Sequence, residues 1–165
     1  MLFQRKIRVL MVCTENICRS PLAEGVLRHH LQHTGLRGQV KVSSAGTRAS
    51  QPGSKPDQRT VKVAADAGIK LGRIRARRIS VQDFLENDYI LAMDRENLRD
   101  LLDICPAECK PKISLLLSHL PGHNLDEVPD PYYGSFEGFV HVFQLIDGAV
   151  IDLISHIASQ AHQAG

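Results

Sequence analysis

Val12-Cys13-Thr14-Glu15-Asn16-Ile17-Cys18-Arg19-Ser20-Pro21 is the stretch whose reading decides the fold. It follows an apolar run, Ile7 to Val12, and opens an amphipathic pattern from Leu22 to Leu36. That order predicts strand, short loop, helix. A cysteine closes the strand, and Arg19 stands just before the helix. Such a loop can close into a ring of inward-facing backbone N–H groups, backed by the positive end of the helix dipole. The ring is a cradle for a tetrahedral oxyanion, and Arg19 adds a planar fork for two phosphate oxygens. Cys13 at its base sits in a field that favours the thiolate. A thiolate beneath a bound phosphate is placed for in-line attack at phosphorus, so the expected chemistry is phosphoryl transfer through a phosphocysteine.

Composition narrows the alternatives. A chain of 165 residues, 43% hydrophobic, suits a single domain over residues 1–165 with one core. No run of eighteen consecutive apolar residues occurs, so no transmembrane helix or membrane insertion is expected. Met1 to Leu10 carries Arg5, Lys6 and Arg8 without a long apolar region, which does not read as a signal peptide. A formal charge of +2 is too small to argue for nucleic acid. Four arginines within Arg73–Arg78 read as a solvated face, or as a patch attracting an acidic phosphoprotein or phosphosugar. Four cysteines without an export signal point to a reducing cytoplasm. The histidines at 29, 30, 33, 119, 123, 141, 156 and 162 show no metal-ligand spacing and read as surface or core fillers.

Strands and helices alternate along the chain. Ile7–Cys13 reads as a buried strand; Ser20 and Pro21 read as N-cap and first residue of a helix that Gly35 can end. Val40–Ser44 is a second strand, followed by a Pro-, Gly- and Ser-rich loop from Thr47 to Pro56. Asp57 caps a helix running toward Ile69, and Ile79–Leu85 is irregular or a short helical turn. Tyr89–Met93 and Ile113–Leu117 are strands three and four, with a helix Glu96–Ile104 and a loop flanked by Pro106 and Pro111 between them. The last helix spans about Ser135 to Ala161, striped by Phe136, Phe139/Val140, Phe143, Ile146, Val150, Leu153/Ile154, Ile157 and Ala161. This alternation predicts an α/β fold, a parallel sheet with helices on both faces and a ligand site beyond the carboxyl ends of its strands, where Cys13 lies.

Thiolate attack expels an alkoxide or phenoxide, which calls for a general acid from the same sheet edge. Asp130-Pro131-Tyr132-Tyr133-Gly134 is the candidate: Pro131 stiffens the loop, Gly134 lets it turn, and two tyrosines can flank an aromatic substrate. Asn16 suits a left-handed position that aims the N–H groups. The Ser20 hydroxyl can donate to Cys13 sulfur and ease its departure.

In these residues the chain resembles the low-molecular-weight protein tyrosine phosphatases, bacterial type. The resemblance runs through Val12 to Glu24, Ser43-Ser44-Ala45-Gly46-Thr47, Asp88-Tyr89-Ile90-Leu91-Ala92-Met93-Asp94 and Asp130 to Gly134, in the family's order. It implies a flavodoxin-like three-layer sandwich around a four-stranded parallel sheet. It implies Cys13 as nucleophile, Arg19 as phosphate and transition-state ligand, and Asp130 as acid and then base. It makes Thr14, Glu15, Asn16, Ile17, Cys18 and Ser20 the phosphate-binding P-loop, Ser44 and Asp94 its support, and Arg48, Tyr132 and Tyr133 the substrate cleft. It implies no metal and no cofactor. Its partners would be phosphotyrosine proteins; bacterial relatives commonly reverse a tyrosine autokinase in capsule or exopolysaccharide export. In the family the neighbour Cys18 can form a reversible disulfide with Cys13, which would close the enzyme and shield its nucleophile.

Three positions depart from the family pattern. Glu15 stands where the family usually has glycine, bringing a carboxylate close to a phosphate site; it is expected to face outward at the rim and shape substrate preference. Ile74 stands where a histidine often braces the loop asparagine, so that brace is expected to be missing. Arg48-Ala49-Ser50-Gln51 offers no aromatic in the variable loop. Two enzymes of the same fold compete: thioredoxin-coupled arsenate reductase, which needs two further relay cysteines and finds only Cys105 and Cys109, and protein arginine phosphatase, which carries a threonine where Ile17 stands. An inactive phosphate-binding regulator is the alternative outside catalysis.

Overall fold

The computed structural model describes residues 4–122 and 124–164. His123, read above as a filler, lies outside the described residues. The elements are β1 (Ile7–Cys13), α1 (Arg19–Leu31), β2 (Val40–Gly46), α2 (Gln58–Asp66), α3 (Val81–Glu86), β3 (Tyr89–Ala92), α4 (Arg95–Ile104), β4 (Ile113–Leu115) and α5 (Phe136–Gln163). All four strands are parallel, in the order β2-β1-β3-β4.

The central strand β1 explains its own sequence. Val9, Met11 and Cys13 point into a core shared with α1, α2 and α5. Leu10 and Val12 point into a second core with Phe84 of α3 and Leu101 of α4. A strand covered on both faces must be apolar at every position, which is why no alternation appears. The result is the flavodoxin-like α/β sandwich expected. The chain leaves β1 for β2 on one side and later returns to β3 on the other, so the carboxyl end of β1 opens at the switch point of the sheet.

Local chemistry shifted several boundaries. Ser20 is not the N-cap: Cys18 holds that position and Ser20 lies inside the first turn of α1, because its hydroxyl is committed to the loop below. α1 stops at Leu31, short of Gly35, because the Thr34 hydroxyl donates to the Leu31 carbonyl and accepts from Leu36 N–H. Leu36 still reaches the core from the turn that follows. β2 extends two residues to Gly46, whose N–H donates to Arg77 O and whose carbonyl accepts from Ile79 N–H. The segment read as irregular or a short helical turn is the latter: it forms α3, and Ser80 and Asp83 make a capping box at its start. Asp57 caps α2 as expected, accepting from Arg59 N–H. The loop between Pro106 and Pro111 is a 3-10 turn, Ala107–Lys112, and β4 yields after Leu115 to another at Leu116–His119.

At 28 residues α5 is about 42 Å long. By length and composition alone it is long and apolar enough to cross a membrane, although no unbroken run of eighteen apolar residues lies within it. Its apolar face is instead a core face: Phe139, Val142, Leu145, Ile146, Ala149, Val150, Leu153 and Ile157 are buried. The stripe is centred slightly off the expected one, with Phe136 and Phe143 only partly covered.

One glycine links fold to site. A Cβ on Gly46 would lie 2.6 Å from Thr14 O and 3.1 Å from Asn16 N, both backbone atoms. Gly46→Ala is therefore expected to displace the loop after β1 and to cost about 1–3 kcal/mol, the usual range for overpacking; the urea midpoint reads the loss, and an unchanged midpoint counts against this packing.

Candidate active site

The loop from Cys13 to Arg19 is braced from within by the side chain of Asn16. Asn16 is buried and adopts φ +59°, the left-handed conformation expected of it. Its Nδ2 donates to Ser20 Oγ at 2.7 Å and to Ser44 Oγ at 3.0 Å, and its Oδ1 accepts from Arg77 N–H at 3.0 Å. Ser44 Oγ donates onward to Glu24 Oε1 at 2.7 Å, and Glu24 Oε2 accepts from Arg28 at 2.6 Å. The histidine brace expected to be missing is thus replaced by a main-chain N–H, and Ile74 is simply buried. Ser20 Oγ lies 3.0 Å from Cys13 Sγ, the contact anticipated for a hydroxyl that attends a sulfur leaving group.

Arg19 is almost wholly buried. Its Nη1 donates to Asp94 Oδ2 at 2.6 Å and to Val128 O at 3.0 Å, and Nη2 stands 3.8 Å from Asp130 Oδ2. Burial alone would lower the Arg19 pKa, but Cys13, Asp94 and Asp130 around it outweigh burial and raise it. Asp94 also caps α4 by accepting from Asn97 N–H, and Asn97 Nδ2 donates to Thr14 Oγ1. Asn97, unremarked in the sequence, therefore ties α4 to the loop.

These groups open into a cleft of about 420 Å³. Cys13, Ile17, Cys18 and Arg19 line it, together with Glu15, Arg48, Ser50, Gln51 and Glu96 and with Asp130, Tyr132 and Tyr133. Every residue expected in the substrate cleft is there. Glu15 turns away from the loop interior: its Oε2 accepts from Ser50 N–H at 2.8 Å and Ser50 Oγ at 2.7 Å. Those two bonds and nearby Arg48 hold its carboxyl below the usual range. Tyr132 and Tyr133 meet edge to face with centroids 5.0 Å apart, and Tyr132 N–H donates to Asp130 Oδ1 at 3.1 Å.

Arg59 is a second residue the sequence reading missed. Its guanidinium lies over Phe139 at 4.5 Å and over Tyr132 at 5.4 Å, while pairing with Asp57 at 2.9 Å. Asp57 N–H in turn donates to Ile17 O at 2.8 Å, so the tyrosine side of the cleft is joined to the loop. Nothing in the spacing Asp57-x-Arg59 announces this, because the aromatic partners are more than seventy residues away.

The remaining cysteines separate by location. Cys18 shares the core of Cys13, and burial pushes its thiol up to about 12. Cys105 and Cys109 are buried in the core on the other face of the sheet. Within the basic run, Arg77 forms a two-pronged pair with Asp83 at 2.9 Å, whereas Arg73, Arg75 and Arg78 are exposed. Among the described residues no group of three His, Cys, Asp or Glu is placed to hold a metal ion.

The class defined by this fold and site is a flavodoxin-like α/β protein with a cleft at the end of its first strand, lined by a cysteine and a buried arginine. The sequence signature of the low molecular weight phosphotyrosine protein phosphatases matches residues 8–163. A low molecular weight protein-tyrosine-phosphatase of Bacillus subtilis is 38% identical over 155 residues, covering 93% of this chain and 97% of that protein. A protein tyrosine phosphatase from Entamoeba histolytica, solved with Hepes in its active site, superposes with a TM-score of 0.90 at 36% identity, covering 94% of this chain and 99% of the other. Wzb of Vibrio vulnificus, in complex with benzylphosphonate, superposes with a TM-score of 0.80 at 30% identity over 92% of this chain and 99% of its own. The chain belongs to the low molecular weight phosphotyrosine protein phosphatase family.

Asn16→Ala removes three hydrogen bonds from buried partners and keeps a left-handed backbone that alanine resists. The expected loss is about 2–4 kcal/mol, combining unsatisfied buried groups with the left-handed cost. Asn16→Gly loses the same bonds but not the backbone cost, so its unfolding free energy should recover by about 1 kcal/mol, read as a higher denaturant midpoint. Equal midpoints for the two variants would show that the left-handed conformation costs nothing here.

Proposed function

We propose that this chain, acting as a single catalytic unit over residues 1–165, hydrolyses phosphotyrosine in proteins. The observation that carries the reading is the meeting in one cleft of Cys13 and Arg19, from one loop, with Asp130, from a segment far away in sequence. The phosphate sits in the cradle of loop N–H groups. With Arg19 Nη1 engaged by Asp94 and Val128, the rest of the fork is left to bind phosphate oxygens and the charge that grows on them in the transition state. The Cys13 thiolate attacks phosphorus, a P–S bond forms, and the P–O bond to the tyrosine ring breaks. Asp130 delivers its proton to the departing phenoxide. The resulting Asp130 carboxylate then takes a proton from water, whose oxygen attacks phosphorus and releases inorganic phosphate. The Ser20 hydroxyl, already 3.0 Å away, hydrogen-bonds the sulfur as it leaves.

The substrate reading rests on the cleft. Ile17 offers an apolar contact to a phenol ring where an arginine phosphatase would carry threonine, and Tyr132 and Tyr133 offer aromatic faces. The benzylphosphonate held by the Vibrio vulnificus relative is an aromatic phosphate mimic, which supports the same choice. A thiol relay to Cys105 and Cys109 is disfavoured, because the sheet separates them from Cys13. Cytoplasmic phosphotyrosine proteins are the partner class proposed, with a tyrosine autokinase of polysaccharide export the specific one. Cys18, a protonated thiol in the core of Cys13, is the proposed partner of an oxidised nucleophile: its sulfur displaces hydroxide from the Cys13 sulfenic acid formed by peroxide, giving a disulfide and water.

Turnover of p-nitrophenyl phosphate separates catalysis from mere phosphate binding. Cys13→Ser should abolish it and Arg19→Ala should remove most of it. Asp130→Ala should slow kcat by about 10²–10⁴-fold, the scale of general acid–base loss. Undiminished turnover in Cys13→Ser would refute the mechanism. Asp130→Ala should also retain phosphotyrosine proteins long enough for mass spectrometry to name them. For the redox role, peroxide inactivation of Cys18→Ser should no longer reverse fully with dithiothreitol; full reversal would exclude Cys18 as the partner.

A further inference from the structure

We propose that Glu15 is a positioning residue: its carboxylate clamps the rim Arg48–Gln51 to the phosphate loop and thereby sets how the cleft receives the peptide around a phosphotyrosine. The proposal rests on the tyrosine phosphatase reading above for its substrate, and on geometry for the clamp.

A glutamate two residues after the thiol would repel a phosphate dianion at short range if its carboxylate faced the cradle. It faces the rim instead, accepting from both Ser50 N–H and Ser50 Oγ. The same rim is already drawn to the loop at Thr14, whose carbonyl accepts from Arg48 N–H at 3.0 Å and Ala49 N–H at 3.1 Å. Between these two attachments Ala49 is buried with φ +42°, a left-handed backbone on a residue that carries a Cβ. Such a conformation persists where its surroundings over-determine it. The Thr14 carbonyl holds it from one side, and the Glu15 carboxylate holds the next residue from the other.

The clamp bears on recognition because the rim is polar. Arg48, Ser50 and Gln51 line the cleft with no aromatic among them. Polar recognition depends on fixed geometry more than an apolar wall does. Arg48 is fixed at its far end as well, pairing with Glu96 at 3.2 Å. The rim thus presents the Arg48 guanidinium to the cleft that Tyr132 and Tyr133 also line, and the segment flanking a phosphotyrosine is proposed to meet it there. A small aryl phosphate fills the cradle and the tyrosine side; a phosphotyrosyl peptide also meets the rim.

Three readouts on Glu15→Ala, Glu15→Gln and the parent chain test this: hydrogen exchange of the Ser50 amide, steady-state kinetics on p-nitrophenyl phosphate and on a phosphotyrosyl peptide, and inhibition by inorganic phosphate. In Glu15→Ala, Ser50 exchange should quicken by about tenfold or more. Peptide KM should rise about five- to tenfold, with kcat changed less than KM and KM for p-nitrophenyl phosphate raised by a smaller factor. Glu15→Gln keeps an acceptor for Ser50 and should regain most of the exchange protection and the peptide KM. Unchanged Ser50 exchange in Glu15→Ala overturns the clamp. A uniform fall in both KM values and in the phosphate inhibition constant overturns it too, because Glu15 would then act by repelling phosphate. Should the parent chain turn over neither substrate, the phosphatase reading fails and the exchange measurement alone decides the clamp.

Discussion

The side chain of Asn16 is the constraint on which the site depends. Its three hydrogen bonds reach α1 through Ser20, β2 through Ser44 and the segment before α3 through Arg77. Those partners lie on three separate parts of the chain, which the one side chain ties to the loop. Because the network is buried, each bond is stronger than it would be in water, and each unmade bond would cost more. Asn16 is suited to this through two properties at once: a short amide with donors and an acceptor, and tolerance of the left-handed backbone that turns the loop inward. The network also places Ser20 beside the thiol, so the architecture of the loop and the environment of Cys13 have one origin.

Arg19 poses the opposite problem, a cation taken out of water. Burial of a charge is costly unless it is paired and hydrogen-bonded. Asp94 and the Val128 carbonyl supply that pairing, and Val128 N–H is itself fixed to Met93 O at 2.7 Å just beyond β3. The ion pair adds little to stability by itself, since such pairs trade Coulomb energy against desolvation. What it contributes is a positive charge whose direction is set before any anion arrives. A preorganised donor of this kind needs no rearrangement as charge builds on a phosphoryl oxygen, which is the most effective form of electrostatic help a site can give.

How much of this was legible in the sequence follows from the range of each interaction. Cys13, Arg19 and the strand–loop–helix around them could be read because their geometry is set within ten residues. The parallel sheet could be read because a strand buried on both faces leaves an unbroken apolar run. Boundaries were lost where a side chain competes with the backbone. Ser20 looks like an N-cap and is instead drawn to Asn16, and Thr34 ends α1 before the glycine that should have ended it. Asn97 and Arg59 were not legible, since their meaning lies in Thr14, Tyr132 and Phe139, whose proximity only the fold creates. The fate of Glu15 was half legible: proximity to a phosphate dictated that its charge turn outward, but not that Ser50 would receive it.

The departures from the family pattern now share a logic. A cradle built from main-chain N–H groups is indifferent to many of the side chains on it, provided the backbone is held. Where a histidine brace is missing, the Arg77 N–H supplies the same bond to Asn16. Where glycine would have left the loop bare, glutamate adds a tether to the rim. Where the rim lacks an aromatic, it carries a guanidinium that is pinned at Glu96. The first of these changes preserves the cradle and the other two alter its mouth. Chemistry at phosphorus tolerates only the first kind, because displacement of a donor by a fraction of an ångström weakens every bond to the transition state. Recognition outside the cradle has no such limit, so the rim is where a chain of this family can diverge without loss of the reaction.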